Sequence, residues 1–216
     1  MIELINSRII IISGHYGTGK TNIAVNLAES IAKSDKKVCI VDFDIVNPYF
    51  RSADNVKELK ALGVRTIIPE FANTNIEIPS LPKEYYSIFS TDEYAIVDVG
   101  GDADGAVAVS VDNEKYKKCG YTMYYVYNCY RPAIARPEDA YTMLKRIEQT
   151  SHLTFSGIVN NSNLGAETTE ELVRNSFSLA DKLSELSQIP IVATTALSGF
   201  DIENITHIEN KTKQLF

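Results

Sequence analysis

Gly14-His15-Tyr16-Gly17-Thr18-Gly19-Lys20-Thr21 is the stretch on which the reading of this chain turns. It fits G-x-x-x-x-G-K-[ST], the phosphate-cradling P-loop pattern. An apolar run, Arg8-Ile9-Ile10-Ile11-Ile12-Ser13, stands directly before it, and a helix-like stretch from Asn22 to Lys33 directly after. Strand, loop and helix in that order are the setting in which the pattern carries chemistry. Gly14, Gly17 and Gly19 let the backbone come close to a ligand. Successive backbone N–H groups then converge on phosphate oxygens, and the first turn of the helix adds its positive dipole end. His15, Tyr16, Thr18 and Asn22 lie in or beside the loop and belong with the candidate nucleotide-binding residues. Lys20 reaches the β- and γ-phosphates as a point charge, and the Thr21 hydroxyl is placed to ligate Mg²⁺.

The 216 residues suit one α/β domain spanning 1–216, and a hydrophobic content of 44% is enough for a sizeable core. The net charge of −7 argues against a nucleic-acid-binding surface as the main feature. No apolar run is long enough to span a bilayer. Met1-Ile2-Glu3-Leu4 leads straight into the first strand, with no visible secretory signal. Cys39, Cys119 and Cys129 are far apart and form no C-x-x-C pair. The expectation is a cytoplasmic, reducing setting.

Short apolar runs alternate with longer amphipathic stretches. The predicted strands are Arg8–Ser13, Lys37–Asp42, Val64–Ile68, Tyr94–Val99, Tyr121–Asn128, Thr154–Asn160 and Ile189–Thr194. Most are continuous apolar runs, as expected of parallel strands covered on both faces. The predicted helices are Lys20–Lys33, Asn55–Leu62, Gly105–Lys117, Pro137–Thr150, Thr168–Ser187 and Ile202–Gln214. Such alternation implies a doubly wound, mostly parallel sheet of about seven strands with helices on both faces. Ligands bind such sheets beyond the carboxyl ends of the strands. The polar residues at those ends are Gly14–Thr21, Asp42-Phe43-Asp44, Asp98–Asp102 and Asn160-Asn161.

Asp42 and Asp44 share one side if the extended conformation continues. One then lies near Mg²⁺ and the other faces the γ-phosphate. Tyr94-Ala95-Ile96-Val97-Asp98 fits the acidic Mg²⁺-shell position of P-loop enzymes. Val99-Gly100-Gly101-Asp102 follows. A glycine there can bring its N–H to a γ-phosphate and move when that phosphate leaves, which makes a switch.

With these residues in place, the sequence resembles the MinD/ParA class of P-loop ATPases over nearly its full length. The class includes the nitrogenase iron protein, the cobyrinate and dethiobiotin amide-forming enzymes and bacterial tyrosine kinases. The resemblance implies ATP and Mg²⁺ as cofactors and a slow, switch-type hydrolysis. Asp42-Phe43-Asp44 matches the Asp-x-Asp of MinD-like proteins; by that match Asp44 orients the attacking water and Asp42 sits behind a metal-bound water. Asp98-Val99-Gly100-Gly101-Asp102 resembles the switch II of the iron protein, with Gly101 as the γ-phosphate sensor. Gly157-Ile158-Val159-Asn160-Asn161-Ser162 resembles the strand ending in a base-binding Asn, which implies Asn161 on the adenine edge. No Asn-Lys-x-Asp run of the guanine-specific kind is present, which favours ATP over GTP.

One position departs from the class. MinD and ParA proteins carry a second lysine right after the first P-loop glycine, and it reaches across a dimer to the partner's phosphates. Here that residue is His15. Neutral imidazole donates one hydrogen bond and imidazolium two, and neither has lysine's reach. A nucleotide-dependent homodimer therefore stays open, with Arg51, Arg131 and Arg136 as candidates for the missing charge. The class also implies an activating protein partner that the sequence does not name.

Two rival readings share the P-loop: an amide-forming ligase that phosphorylates a carboxylate, and a non-catalytic nucleotide-binding partner protein. The Asp-x-Asp-x-x-Asn-Pro run suits the switch ATPases better than the ligases, and Lys20, Thr21, Asp44 and Asp98 together argue against the non-catalytic reading. Ile202, Ile205, Ile208 and Leu215 could form an apolar stripe, but Asp201, Glu203 and Glu209 leave the segment short of the basic character of a membrane-surface helix. The expectation there is a core-packed final helix, with membrane binding disfavoured. Tyr121, Tyr125 and Tyr127 share one strand face and are expected to pack against helices.

Overall fold

The computed structural model describes residues 1–43, 53–68 and 82–211. Within them the strands are β1 (Ile9–Ser13), β2 (Val38–Phe43), β3 (Arg65–Ile67), β4 (Tyr94–Val99), β5 (Tyr121–Tyr127), β6 (Gly157–Asn160), β7 (Ile191–Leu197) and β8 (Thr206–Ile208). The helices are α1 (Lys20–Ala32), α2 (Ala53–Ala61), α3 (Asp102–Ser110), α4 (Asn113–Cys119), α5 (Pro137–Ser151) and α6 (Glu170–Ser187). One eight-stranded sheet runs in the order β3-β2-β4-β1-β5-β6-β7-β8, and every neighbouring pair is parallel.

The run of isoleucines in β1 is explained by burial on both faces. Ile9 and Ile11 enter a cluster with Leu144 and Ile147 of α5 and Leu183 of α6. Ile10 and Ile12 enter a second cluster with Ile23, Leu27 and Ile31 of α1. A strand with helices on both sides has no solvent face to mark with polar residues. In β5, Tyr125 and Tyr127 face the first cluster with Tyr121 packed at its margin, so the three tyrosines pack against helices as expected.

This topology positions the site. β1 lies between β4 and β5, where the order of connection reverses. Ile12 is level with Asp98 of β4, and Ser13 with Tyr125 of β5. The loop after Ser13 must therefore emerge between the ends of β4 and β5, the crevice in which such sheets hold ligands.

Two expectations need correction. The predicted helix Gly105–Lys117 is two helices, with the break at Val111-Asp112. Asp112 starts the second: its carbonyl accepts from the Lys115 and Tyr116 N–H groups, and its carboxylate pairs with Lys115 at 2.6 Å. Asp and Asn favour helix starts, so Asp112-Asn113 carried a signal of this break.

The predicted final helix Ile202–Gln214 is instead β8, parallel to β7, with 212–216 outside the described residues. Its isoleucines do not share a stripe: Ile202 packs with Val173 and Ala196, whereas Ile208 joins the α1 cluster. β-branched residues suit the pleated conformation. A side chain of α1 grips the chain just beyond β8. Asn26 donates to the Glu209 carbonyl at 2.9 Å and accepts from the Glu209 N–H at 2.9 Å, much as a neighbouring strand would. No helix among the described residues is long and apolar enough to cross a membrane.

Candidate nucleotide-binding site

The loop after β1 folds around its own carbonyl. The His15 carbonyl accepts from the Thr18 N–H at 3.3 Å, the Thr18 hydroxyl at 2.9 Å and the Lys20 ammonium at 3.1 Å. Lys20 is thereby held in the loop and buried. Gly19 caps α1 with φ +88. A Cβ there would stand 2.3 Å from Asn161 Nδ2. Glycine is therefore required twice over, by conformation and by contact. Gly14 packs as closely on β5: a Cβ would stand 2.5 Å from the Val126 carbonyl oxygen.

The candidate metal residues converge. Asp42 and Asp98 are level across β2 and β4, so their side chains leave the same sheet face. That face carries α1, whose Thr21 hydroxyl donates to Asp98 Oδ2 at 2.6 Å. Among the described residues no three His, Cys, Asp or Glu side chains could hold a metal by themselves. A hydroxyl with one buried carboxylate and a second beside it suits Mg²⁺ held jointly with phosphate oxygens and water, the usual arrangement for that ion.

Gly101 meets the loop directly. A Cβ on it would lie 2.8 Å from the Tyr16 nitrogen and 2.9 Å from the Tyr16 Cα. Gly101 is also the residue before α3. The predicted switch glycine thus touches the P-loop and starts a helix. Tyr16 is 53% exposed, a large ring at the surface of the loop. Asp44 lies outside the described residues.

A family profile described as ParA, NUBPL iron-transfer P-loop NTPase, matches residues 4–112. That is half of the chain, and it spans the P-loop, Asp42 and the Asp98–Gly101 turn. The chain belongs to this ParA/NUBPL family of P-loop NTPases. A protein of Methanocaldococcus jannaschii named as an uncharacterized ATP-binding protein is 51% identical over 45 residues, covering 21% of this chain and 17% of that one. FlhF complexed with GTP/Mg²⁺ superposes with a TM-score of 0.58 at 20% identity, covering 96% of this chain and 72% of FlhF. The signal recognition particle receptor FtsY of Elizabethkingia anophelis gives a TM-score of 0.53 at 16% identity, covering 93% of this chain and 62% of FtsY. At these identities the structural likeness is one of fold.

Two of the candidate nucleotide-binding residues, Asn161 and Asn22, have their side chains engaged within the protein. Asn161 is buried; its Nδ2 donates to the Thr18 carbonyl at 2.7 Å and its Oδ1 accepts from Thr195 at 2.6 Å. It ties the P-loop to β7. Asn22 likewise turns its side chain away from the loop: its Oδ1 accepts from the Lys211 N–H at 2.8 Å.

The sequence reading missed the wider asparagine network of which Asn161 is one member. Asn160 donates to Ser176 at 2.8 Å and accepts from Ser162 at 2.7 Å. Asn128 donates to the Asn163 carbonyl at 3.0 Å and accepts from the Tyr130 N–H at 3.0 Å. Asn163 donates to the Asn161 carbonyl at 2.7 Å. The density of Asn at the ends of β5 and β6 was the available signal. The Cys129 thiol, next to Asn128, is pushed up by burial, against smaller opposing effects of hydrogen bonds from Ser162 and Tyr130. It is not poised as a nucleophile.

The arginines named for the missing lysine separate cleanly. Arg136 is exposed and forks onto Asp139 at 2.7 and 2.8 Å. Arg51 lies outside the described residues. Arg131 lies on the loop after β5 with its guanidinium against Gly17: a Cβ on Gly17 would be 3.3 Å from Nε and 3.4 Å from Cζ.

Proposed function

We propose that this chain binds ATP with Mg²⁺ and hydrolyses it slowly as a nucleotide-state switch. The observation that carries the reading is the 2.6 Å bond from Thr21 to Asp98, beside a loop whose lysine is buried within it. ATP is favoured over GTP by the missing guanine-specific run and by the name of the Methanocaldococcus jannaschii relative.

In this reading the loop amides and Lys20 bind the β- and γ-phosphates and stabilise charge that develops on them. Thr21, with Asp98 and Asp42 behind it, holds the metal side. These residues would hold Mg²⁺, which would supply neutralisation of phosphate charge. Asp44 orients the attacking water. Gly101, packed on Tyr16, passes the presence of the γ-phosphate to α3. Turnover is slow without a protein partner, as for other nucleotide switches, and the cell interior is the setting in which ATP is available.

Calorimetry with MgATP tests this. The wild-type protein should bind, Lys20→Ala should not, and Asp44→Ala should bind but not release phosphate. Equal affinity in the wild type and Lys20→Ala would end the reading. Hydrolysis that survives Asp44→Ala would remove Asp44 from its role.

A further inference from the structure

We infer that Arg131 is a phosphate-binding residue acting within its own chain, in place of the second P-loop lysine that this sequence lacks. The inference rests on the nucleotide reading of the P-loop and adds to it a residue outside the motif.

The guanidinium sits at the loop itself. Its Nε, Cζ and Cδ are within 3.3 to 3.6 Å of the Cβ position of Gly17. Gly17 has φ +72, so this contact falls where the loop turns its backbone. The Arg131 Nε is buried and has no hydrogen-bond partner among the described residues. Among them no carboxylate forms an ion pair with it either, in contrast to Arg136, Arg65 and Lys211. A guanidinium is always charged and carries five donors. A buried donor without an acceptor is costly unless an anion completes it. Phosphate matches the planar fork well.

The backbone under Arg131 is held in place. Its N–H donates to the Asn128 carbonyl at 3.1 Å, and its carbonyl accepts from Ile134 at 3.0 Å. Pro132 comes next, at the first position of a short 3-10 turn. The Asn128 side chain holds the neighbouring Tyr130 N–H at 3.0 Å. Tyr130 is itself anchored through its hydroxyl to the Leu172 carbonyl at 2.7 Å. The side chain therefore starts from a fixed point beside β1, because β5 is the neighbour of β1 in the sheet. A preset cation of this kind stabilises phosphate charge without rearranging first. It also removes the need for a partner subunit to deliver one.

The test is MgATP binding by calorimetry on full-length Arg131→Ala, Arg131→Lys and Arg131→Gln, with melting of the nucleotide-free proteins alongside. Arg131→Ala should weaken MgATP binding by about ten- to a hundredfold, the usual size of a charged hydrogen bond. Arg131→Lys should recover most of that loss and Arg131→Gln little of it. This comparison holds even if all three variants melt slightly lower. A mixture of Arg131→Ala and Lys20→Ala chains should show no more phosphate release than the variants separately.

Wild-type affinity in Arg131→Ala overturns the inference. So does equal rescue by Gln and Lys, which would make the role one of packing. Restored turnover in the mixture would place the arginine across a dimer and overturn action within one chain. A wild-type protein that binds no MgATP sinks the P-loop reading as well, so the two failures are told apart by the wild-type titration alone.

Discussion

Replacing Asn161 with alanine separates a brace from a base reader. The amide makes two short bonds in a buried place, to the Thr18 carbonyl at 2.7 Å and from the Thr195 hydroxyl at 2.6 Å. Truncation leaves both groups without these partners. A buried polar group left unsatisfied costs about 1–3 kcal/mol. Thr195 retains a poorer acceptor, the Asn160 carbonyl at 3.4 Å, so the sum should be about 2–4 kcal/mol. Urea unfolding of the nucleotide-free protein, followed by circular dichroism, reads this directly. Nucleotide affinity should also fall, and equally for ATP and GTP, because the loop has lost its tie to β7. Asn161→Asp should do no better, since a carboxylate would face the Thr18 carbonyl. Unchanged stability combined with a selective loss of ATP binding would refute the reasoning and return Asn161 to the adenine edge.

Gly101→Ala tests the contact between switch and loop. The backbone at Gly101 (φ −61, ψ 147) is one alanine adopts readily, so any effect comes from the 2.8 Å approach to Tyr16 rather than from strain. Overpacking of this kind costs about 1–3 kcal/mol, and phosphate release should fall more than MgATP affinity; wild-type urea midpoint and turnover together would disprove the contact. Iodoacetamide at pH 8.5 should label Cys119 alone in the native protein and all three cysteines in urea. Cys119 is exposed. Burial pushes the Cys39 thiol up to about 12, with Glu93 adding to the shift, and pushes Cys129 up as well, so neither carries appreciable thiolate below its raised pKa. Mass spectrometry that found Cys39 or Cys129 labelled at the same rate as Cys119 would contradict that burial.

What could be read from the chain alone was what short-range chemistry decides. A run of isoleucines, a glycine-punctuated loop and a helix starting at Lys20 are contiguous, and their meaning survives without knowing their neighbours. The same holds for Asp98, which ends an apolar strand. The rest depended on which strands lie side by side. Arg131, Arg136 and Arg51 look alike in sequence; Arg131 is set apart because β5 lies next to β1 and its loop reaches Gly17. The isoleucines at 202, 205 and 208 fit a helical spacing, yet the segment is drawn into the sheet by β7 and gripped by Asn26, 183 residues away in the chain. Asn161 had the right type and place for a base contact, but Thr18 and Thr195 occupy its amide. Partners so distant in sequence leave no local periodicity, because a hydrogen bond records only where two groups meet in space.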